Sequence, residues 1–351
     1  MRLFWHNRIA RSSALLPVAA VTTTLLWWLP QGAYSLPYLL GWMVCAVAMF
    51  FIIEMAAQNA LLRVRSRMLS SLFLLLMAAC GFLHELSQGS LLQLAFVLSL
   101  FALLRTAEHS RPEVDTFHAY LCLAIGSLVW PPMLWLSPML LFAQAFILRS
   151  LSLRCFSAVI MGLLLPYAFW VAVLFVMGDI SLFTDHARQA VAPAIGLAGR
   201  VRHEVELAQT YTPSAWASVE AERLTTFWTS VLKEHLKELT ALILVMLIGA
   251  TGALYYCTNS FDDKTRVRMC HYAFIAVEIG LALWLLLQPW LFSSLFPLLL
   301  FTSVPACAYW AVFSRSWLAR FWFVLLALGL LAVGVLSLTP PVYLSGTFLP
   351  V

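Results

Sequence analysis

The chain has 351 residues, of which 62% are hydrophobic and only 11% charged, with a formal net charge of +5. Soluble domains hold roughly 45–50% apolar and about 25% charged residues, and no globule has interior enough to hide this much apolar surface. With a mean hydropathy of +0.89, water-soluble enzymes, disordered chains and secreted disulfide scaffolds are excluded, and the chain reads as a membrane protein.

Each helical crossing of a hydrocarbon core about 30 Å thick takes roughly 20 mostly apolar residues, and long uninterrupted apolar runs can satisfy their backbone only as helices. The expected fold is therefore all-α: a polytopic transmembrane helical bundle of about 11 spans, forming a single integral membrane domain over 1–351. In chain order the runs lie at 13–29, 37–57, 68–86, 90–104, 117–136, 137–148, 155–177, 239–257, 270–287, 291–313 and 321–338. The sixth is short and needs a tight proline hairpin with the fifth to cross; ten crossings are the alternative. The first run follows Arg2, Arg8 and Arg11 like a signal peptide, but no small-x-small site follows Trp27 and Trp28, so it reads as an uncleaved anchor.

Basic residues set the orientation. With the N-terminus inside, 15 of the 21 Lys and Arg residues fall on the inner side, among them Arg63, Arg105, Arg149, Arg154, Lys264 and Arg315. The other six lie in the single long polar segment 178–238, which would be outside, and such long segments cross largely regardless of charge. An odd number of spans puts the C-terminus outside. Trp27, Trp28, Trp42, Trp130, Trp135, Trp284 and Trp290 then gather at the outer rim, as an interfacial belt. The net charge thus reflects orientation and anionic membrane lipids as partners, with no nucleic acid implied.

The segment 178–238 carries six basic and eight acidic residues, a net charge of −2. It reads as an external amphipathic loop or lid between spans seven and eight. Its second half places Leu224, Phe227, Trp228, Val231, Leu232, His235 and Leu239 on one helical face, while Pro193 and Pro213 should break the stretch into about three short helices. His186, His203 and His235 share it with Asp185, Glu204 and Glu238, but at no metal-ligand spacing. The seven cysteines all sit in or beside apolar runs without a CxxC pair, so neither a disulfide framework nor a zinc site is expected, and no cofactor or metal is expected either.

Ionisable groups at bilayer depth cost about 2.5–3.5 kcal/mol on insertion scales, so each one is a functional candidate. Glu278 stands ten residues after Arg268 and ten before Gln288, near the midplane, with no Lys or Arg at that depth. Its carboxyl should be uncharged and bonded to Gln144, Thr302, Ser303 or a backbone carbonyl, or else face a wet cavity. His84 and Glu85 at the outer end of the third span, and Asp179 just beyond the seventh, could act on a substrate of the outer leaflet; exposed cap residues would look the same. Glu54, late in the second span, should snorkel toward the inner interface near Arg63.

Two hairpins look alike. His118 to Trp130 precedes Pro131, Pro132 and Pro138, and His271 to Trp284 precedes Pro289 and Pro297; each hairpin ends at an inner arginine, Arg149 or Arg315. This suggests a repeat of 117–149 and 270–315, with Glu278 as the extra residue of the second copy. Transporter and other membrane folds often arise by such duplication, with Pro-interrupted segments in matching positions pointing to the site.

Between residues 92 and 170, Asp115, the turn Ala124-Ile125-Gly126-Ser127-Leu128 before Trp130 and Pro131, Arg149, Arg154, Gly162 and Pro166 carry a resemblance. That stretch, under a quarter of the chain, is similar to an uncharacterised multi-pass inner-membrane protein family of the Bacteroidota, a domain of unknown function. The resemblance implies a multi-pass inner-membrane protein and supplies no catalytic residues.

Three functions compete, and whether the chain is an enzyme stays open. The favoured one is a plasma-membrane protein of cell-envelope assembly, with a lipid-linked sugar or another envelope component as partner, similar in outline to glycosyltransferases that use polyprenol-phosphate sugars. Those enzymes keep an acid in the first outer loop, which here, at residues 30–37, holds none. The alternatives are a secondary transporter using Glu278 and a non-catalytic structural or assembly subunit.

Overall fold

The computed structural model describes residues 5–29, 35–64, 66–107, 111–178, 180–210 and 236–338, with backbone alone at 6, 196–210, 236, 318 and 338. Every regular element among them is helical. In chain order they are α1 (Trp5–Ala10), α2 (Leu15–Trp28), α3 (Leu36–Gln58), α4 (Met68–Ala79), α5 (Gln88–Arg105), α6 (Pro112–Val129), α7 (Leu136–Phe142), α8 (Leu153–Met177), α9 (Ser181–Thr210), α10 (Leu236–Asn259), α11 (Thr265–Leu287), α12 (Phe292–Phe313) and α13 (Trp317–Leu338).

Seven of these, α3, α5, α8, α10, α11, α12 and α13, are long and apolar enough to cross a membrane. The remaining four of the eleven apolar runs also lie on helices, but shorter or more polar ones. Part of the third run is taken by a 3-10 turn at Gly81–Leu83 after α4. The fifth and sixth share a proline-led 3-10 turn, Pro131–Trp135, and α7 continues into one turn of π-helix at Ala143–Ile147. α6 opens with Glu113 and Asp115, acids favoured against a helix N-terminus.

The core is built around α12, which packs on α1, α4, α5, α10 and α11 and is buried on all sides from Ser294 to Val312. Small residues let backbones close on it. At Gly252 an added Cβ would stand 2.5 Å from the Ala306 carbonyl carbon, so α10 and α12 meet at backbone distance, as helices held by van der Waals contact in lipid do. A polar side chain also ties α12 to its neighbour: Gln93 of α5 donates to the Pro297 carbonyl at 2.9 Å. At the far end of α12 the Asn7 amide donates to the carbonyls of Val312 and Ser314, both at 3.0 Å, groups that a helix end leaves without intrahelical partners. Outside this core α6 bridges α5 and α8, α2 and α3 flank α4, and α13 lies against α4 and α10. α8 turns Met161, Leu164, Phe169, Phe175 and Val176 outward, an apolar surface too large for a soluble monomer.

The helices run alternately between two ends, and the ends differ in chemistry. One gathers Asn7, Arg11, Arg63, Asp263, Arg105 and Asp115. The other gathers Trp27, Tyr38, His84, Trp130, Trp284 and Gln288. α9 lies across this second end, packed on the Pro131–Trp135 turn. Pro193 does not break it: α9 is continuous through that position. The ladder weakened by a residue without an N–H is tied down from below, because Trp135 Nε1 donates to the Ala190 carbonyl at 2.9 Å and Gln288 Nε2 to the Pro193 carbonyl at 2.7 Å. Pro213 and the apolar face of 224–239 lie outside the described residues, apart from the backbone at 236 and the start of α10 beyond it.

Candidate functional site

Two concavities open at the aromatic end. The larger, about 550 Å³, lies under α9 and is lined by Trp130, Pro132, Gln189, Pro193, Trp290 and Leu291. Both proline-led turns contribute to it, Pro131–Trp135 from one hairpin and Pro289–Leu291 from the other. Beside it Trp130 and Trp284 stack with centroids 6.1 Å apart and planes 25° apart. Gln288 is buried, accepting from Trp284 Nε1 at 3.2 Å while its amide reaches α9. The start of α9 is pinned by His186, which sits over Trp170 at 4.8 Å and meets the Tyr167 hydroxyl at 3.3 Å; Tyr167 in turn shares a 2.8 Å bond with Ser127. Burial holds the His186 imidazole below its ordinary pKa, opposed by the nearby Ser127 backbone.

The smaller cavity, about 160 Å³, is lined by Leu26, Tyr38, His84, Lys237 and Ser337 among others. His84 is not an exposed cap. Its ring is buried, stacked on Trp27 at 4.1 Å and 16°, with Nε2 3.2 Å from the Met77 carbonyl. That partner assigns the proton to Nε2. Glu85, its chain neighbour, is exposed, so the two do not form an acid-base pair. α3 packs over this corner, where Gly41 leaves room for the backbone of residues 84–86 and the Leu86 N–H donates to the Pro37 carbonyl at 3.0 Å. Asp179 lies outside the described residues.

Glu278 sits mid-helix on α11, 8% exposed, between Gly249 of α10 and Ser303 and Cys307 of α12. None of the side chains expected to hold it does so. Gln144 donates to Thr116 at 2.7 Å, Thr302 to the Leu299 carbonyl and Ser303 to the Leu300 carbonyl, and Glu278 Oε2 has no hydrogen-bond partner. Its carboxyl occupies the space that a side chain at 249 would fill.

The opposite end holds a cluster that the sequence did not single out. Arg63 pairs with Asp263, whose side chain is 1% exposed, and lies 3.7 Å from Asp262. It donates to the Tyr309 hydroxyl at 2.9 Å, and these contacts, the bond to Asp263 first, raise the guanidinium pKa above its ordinary value. Tyr256 lies flat on His271 at 4.2 Å and 10°, and edge-on to Tyr309 at 4.7 Å. Glu54 takes no part, accepting instead from Gln58 at 2.7 Å. The available signal was Asp262-Asp263, the only adjacent acids in the sequence, in the short polar connection between two apolar runs.

None of the seven cysteines forms a disulfide, and among the described residues no group of three His, Cys, Asp or Glu side chains gathers around one point. His203, Glu204 and His235 have no described side chains. No family model, curated protein or solved structure matches the chain, so nothing in those comparisons bears on the resemblance of residues 92–170.

Proposed function

We propose that this is a multi-pass inner-membrane protein of cell-envelope assembly, crossing about 11 times with its N-terminus inside, and that it holds a lipid-linked glycan at the outer face. The observation that carries this reading is the groove under α9. Its volume falls in the range of ligand sites, about 300–1,000 Å³, and its lining pairs indole faces with the Gln189 amide. Indoles stack on the apolar faces of sugar rings while an amide serves ring hydroxyls, and indoles favour the level where lipid meets water. The apolar flank of α8 gives a polyprenyl tail a place to lie. The lining residues named above carry no carboxyl or imidazole, so the reading is recognition and presentation of the glycan rather than acid-base chemistry at that spot. The two like hairpins supply matching proline-led turns to the groove floor, which supports the proposed repeat.

The test is titration of the protein in nanodiscs with a short-chain polyprenyl diphosphate sugar, read by tryptophan fluorescence. Saturable quenching is expected, weakened about tenfold or more by Trp290→Ala or Gln189→Ala, a loss typical of a truncated anchor residue. Absence of saturable quenching, or identical titrations for both variants, overturns the proposal.

A further inference from the structure

Glu278 and the Arg63 cluster belong to one seam. His271 and Glu278 are seven residues apart on α11, and Tyr256 and Gly249 are seven apart on α10, so both pairs stack on the same helix faces two turns, about 10.5 Å, apart. α12 closes the seam with Ser303 and Cys307 near Glu278 and with Tyr309 against His271. Four buried polar atoms without a well-aligned hydrogen bond lie along it: Glu278 Oε2, His271 Nε2, Tyr256 Oη and Asp263 Oδ2. Buried polar groups are normally paired, and each exception calls for a cause such as a proton, water or ion that comes and goes.

His271 states the cause most directly. Its Nδ1 lies 3.1 Å from the Val267 carbonyl, which assigns the single proton of a neutral ring to that nitrogen. Nε2 is then bare and without a partner, with the Pro305 carbonyl near the ring. A second proton would let both nitrogens donate. The groups facing His271 are Tyr256 from α10, Tyr309 from α12 and Asp263 from the connecting turn; Cys307 is the titratable group facing Glu278. Between His271 and Glu278, α12 carries Pro305, which has no N–H for the Phe301 carbonyl.

We propose that the α10–α11–α12 seam is a proton-access route from the Arg63–Asp263 end to Glu278. A proton enters from water beside Arg63, about one-third exposed, and reaches Asp263. The hydroxyl of Tyr256 receives that proton on oxygen as it gives its own, through transient water, to His271 Nε2, and His271 releases it through further water to the Glu278 carboxylate, each group returning to its starting state. This does not rest on the outer groove. It needs no transported substrate, although a proton-coupled carrier would require such access.

The test uses the full chain in nanodiscs and infrared difference spectroscopy. A protonated carboxyl band that disappears in Glu278→Gln is expected, and transfer to D2O should shift it within minutes. His271→Phe and Tyr256→Phe should slow that exchange about tenfold or more, as loss of a proton-transfer group does, with unchanged helicity by circular dichroism. Tyr256→Phe removes one hydroxyl and keeps the stacked ring, so it decides the matter if His271→Phe does not fold. The proposal is overturned if no carboxyl band depends on Glu278, if the wild-type band stays unexchanged for hours, or if Tyr256→Phe exchanges at the wild-type rate.

Discussion

Gly249→Ala is the most informative single change in the bundle. The new methyl carbon would lie 2.8 Å from the Glu278 carboxyl carbon and 3.2 Å from Ser303 Cβ, both inside van der Waals contact. Alanine in a helix interior is worth about 0.5–1 kcal/mol over glycine, whereas forcing a methyl into a filled core costs about 1–3 kcal/mol. The carboxyl lies between α10 and α12, so displacing it disturbs the contact of both helices, and the variant should lose about 1–2 kcal/mol net. In a Glu278→Ala background the carboxyl is gone, and the same change should be neutral or slightly stabilising. The double-mutant cycle, read by equilibrium unfolding in mixed SDS micelles, should therefore give a coupling of about 1–3 kcal/mol. A coupling below about 0.5 kcal/mol, the limit for independent sites, would refute the placement of Glu278 against α10.

Two further outcomes follow from the ends of the bundle. Arg63→Ala leaves the Asp263 carboxylate buried without its cation, and since Arg63 is itself about one-third exposed the loss should be about 1–3 kcal/mol; adding Asp263→Asn should recover part of it in the same unfolding assay. The pKa of His186 is depressed by burial in the fold, so protonation favours the undocked state. The docking of α9 is then complete above the ordinary imidazole pKa of about 6.5 and weakens as pH falls through the lowered folded value. Hydrogen exchange at residues 181–195, corrected for intrinsic rates, should rise between pH 7.5 and 5, and His186→Asn should abolish that dependence; a flat profile in the wild type would contradict the docking.

Helix placement was legible because long apolar runs satisfy their backbone as helices, and seven of the runs lie on helices long and apolar enough to cross a membrane. Their packing was not. Phe292–Phe313 and Leu153–Met177 read alike as apolar segments, yet one is buried on every side and the other exposes most of its surface, because lipid and protein interior select the same residues. Glu278 stood out because a lone carboxyl at mid-depth is visible in any apolar run. The partners of Arg63 did not, since Asp263 lies 200 residues away and nothing local encodes that pairing. Pro193 misled because a local rule for breaking helices does not see Trp135 and Gln288 bonding α9 from other elements. His84 and Glu85 looked equivalent as neighbours at a helix end, but only the ring had Trp27 to stack on.

The arrangement of the two ends is tested most directly by thiol labelling in a cysteine-free background, with a membrane-impermeant maleimide applied to intact cells. Gln189→Cys on α9 should label from outside, and Lys264→Cys beside the Arg63–Asp263 cluster should label only after the membrane is opened. Labelling of both from the same side, or the reverse pattern, would contradict the account.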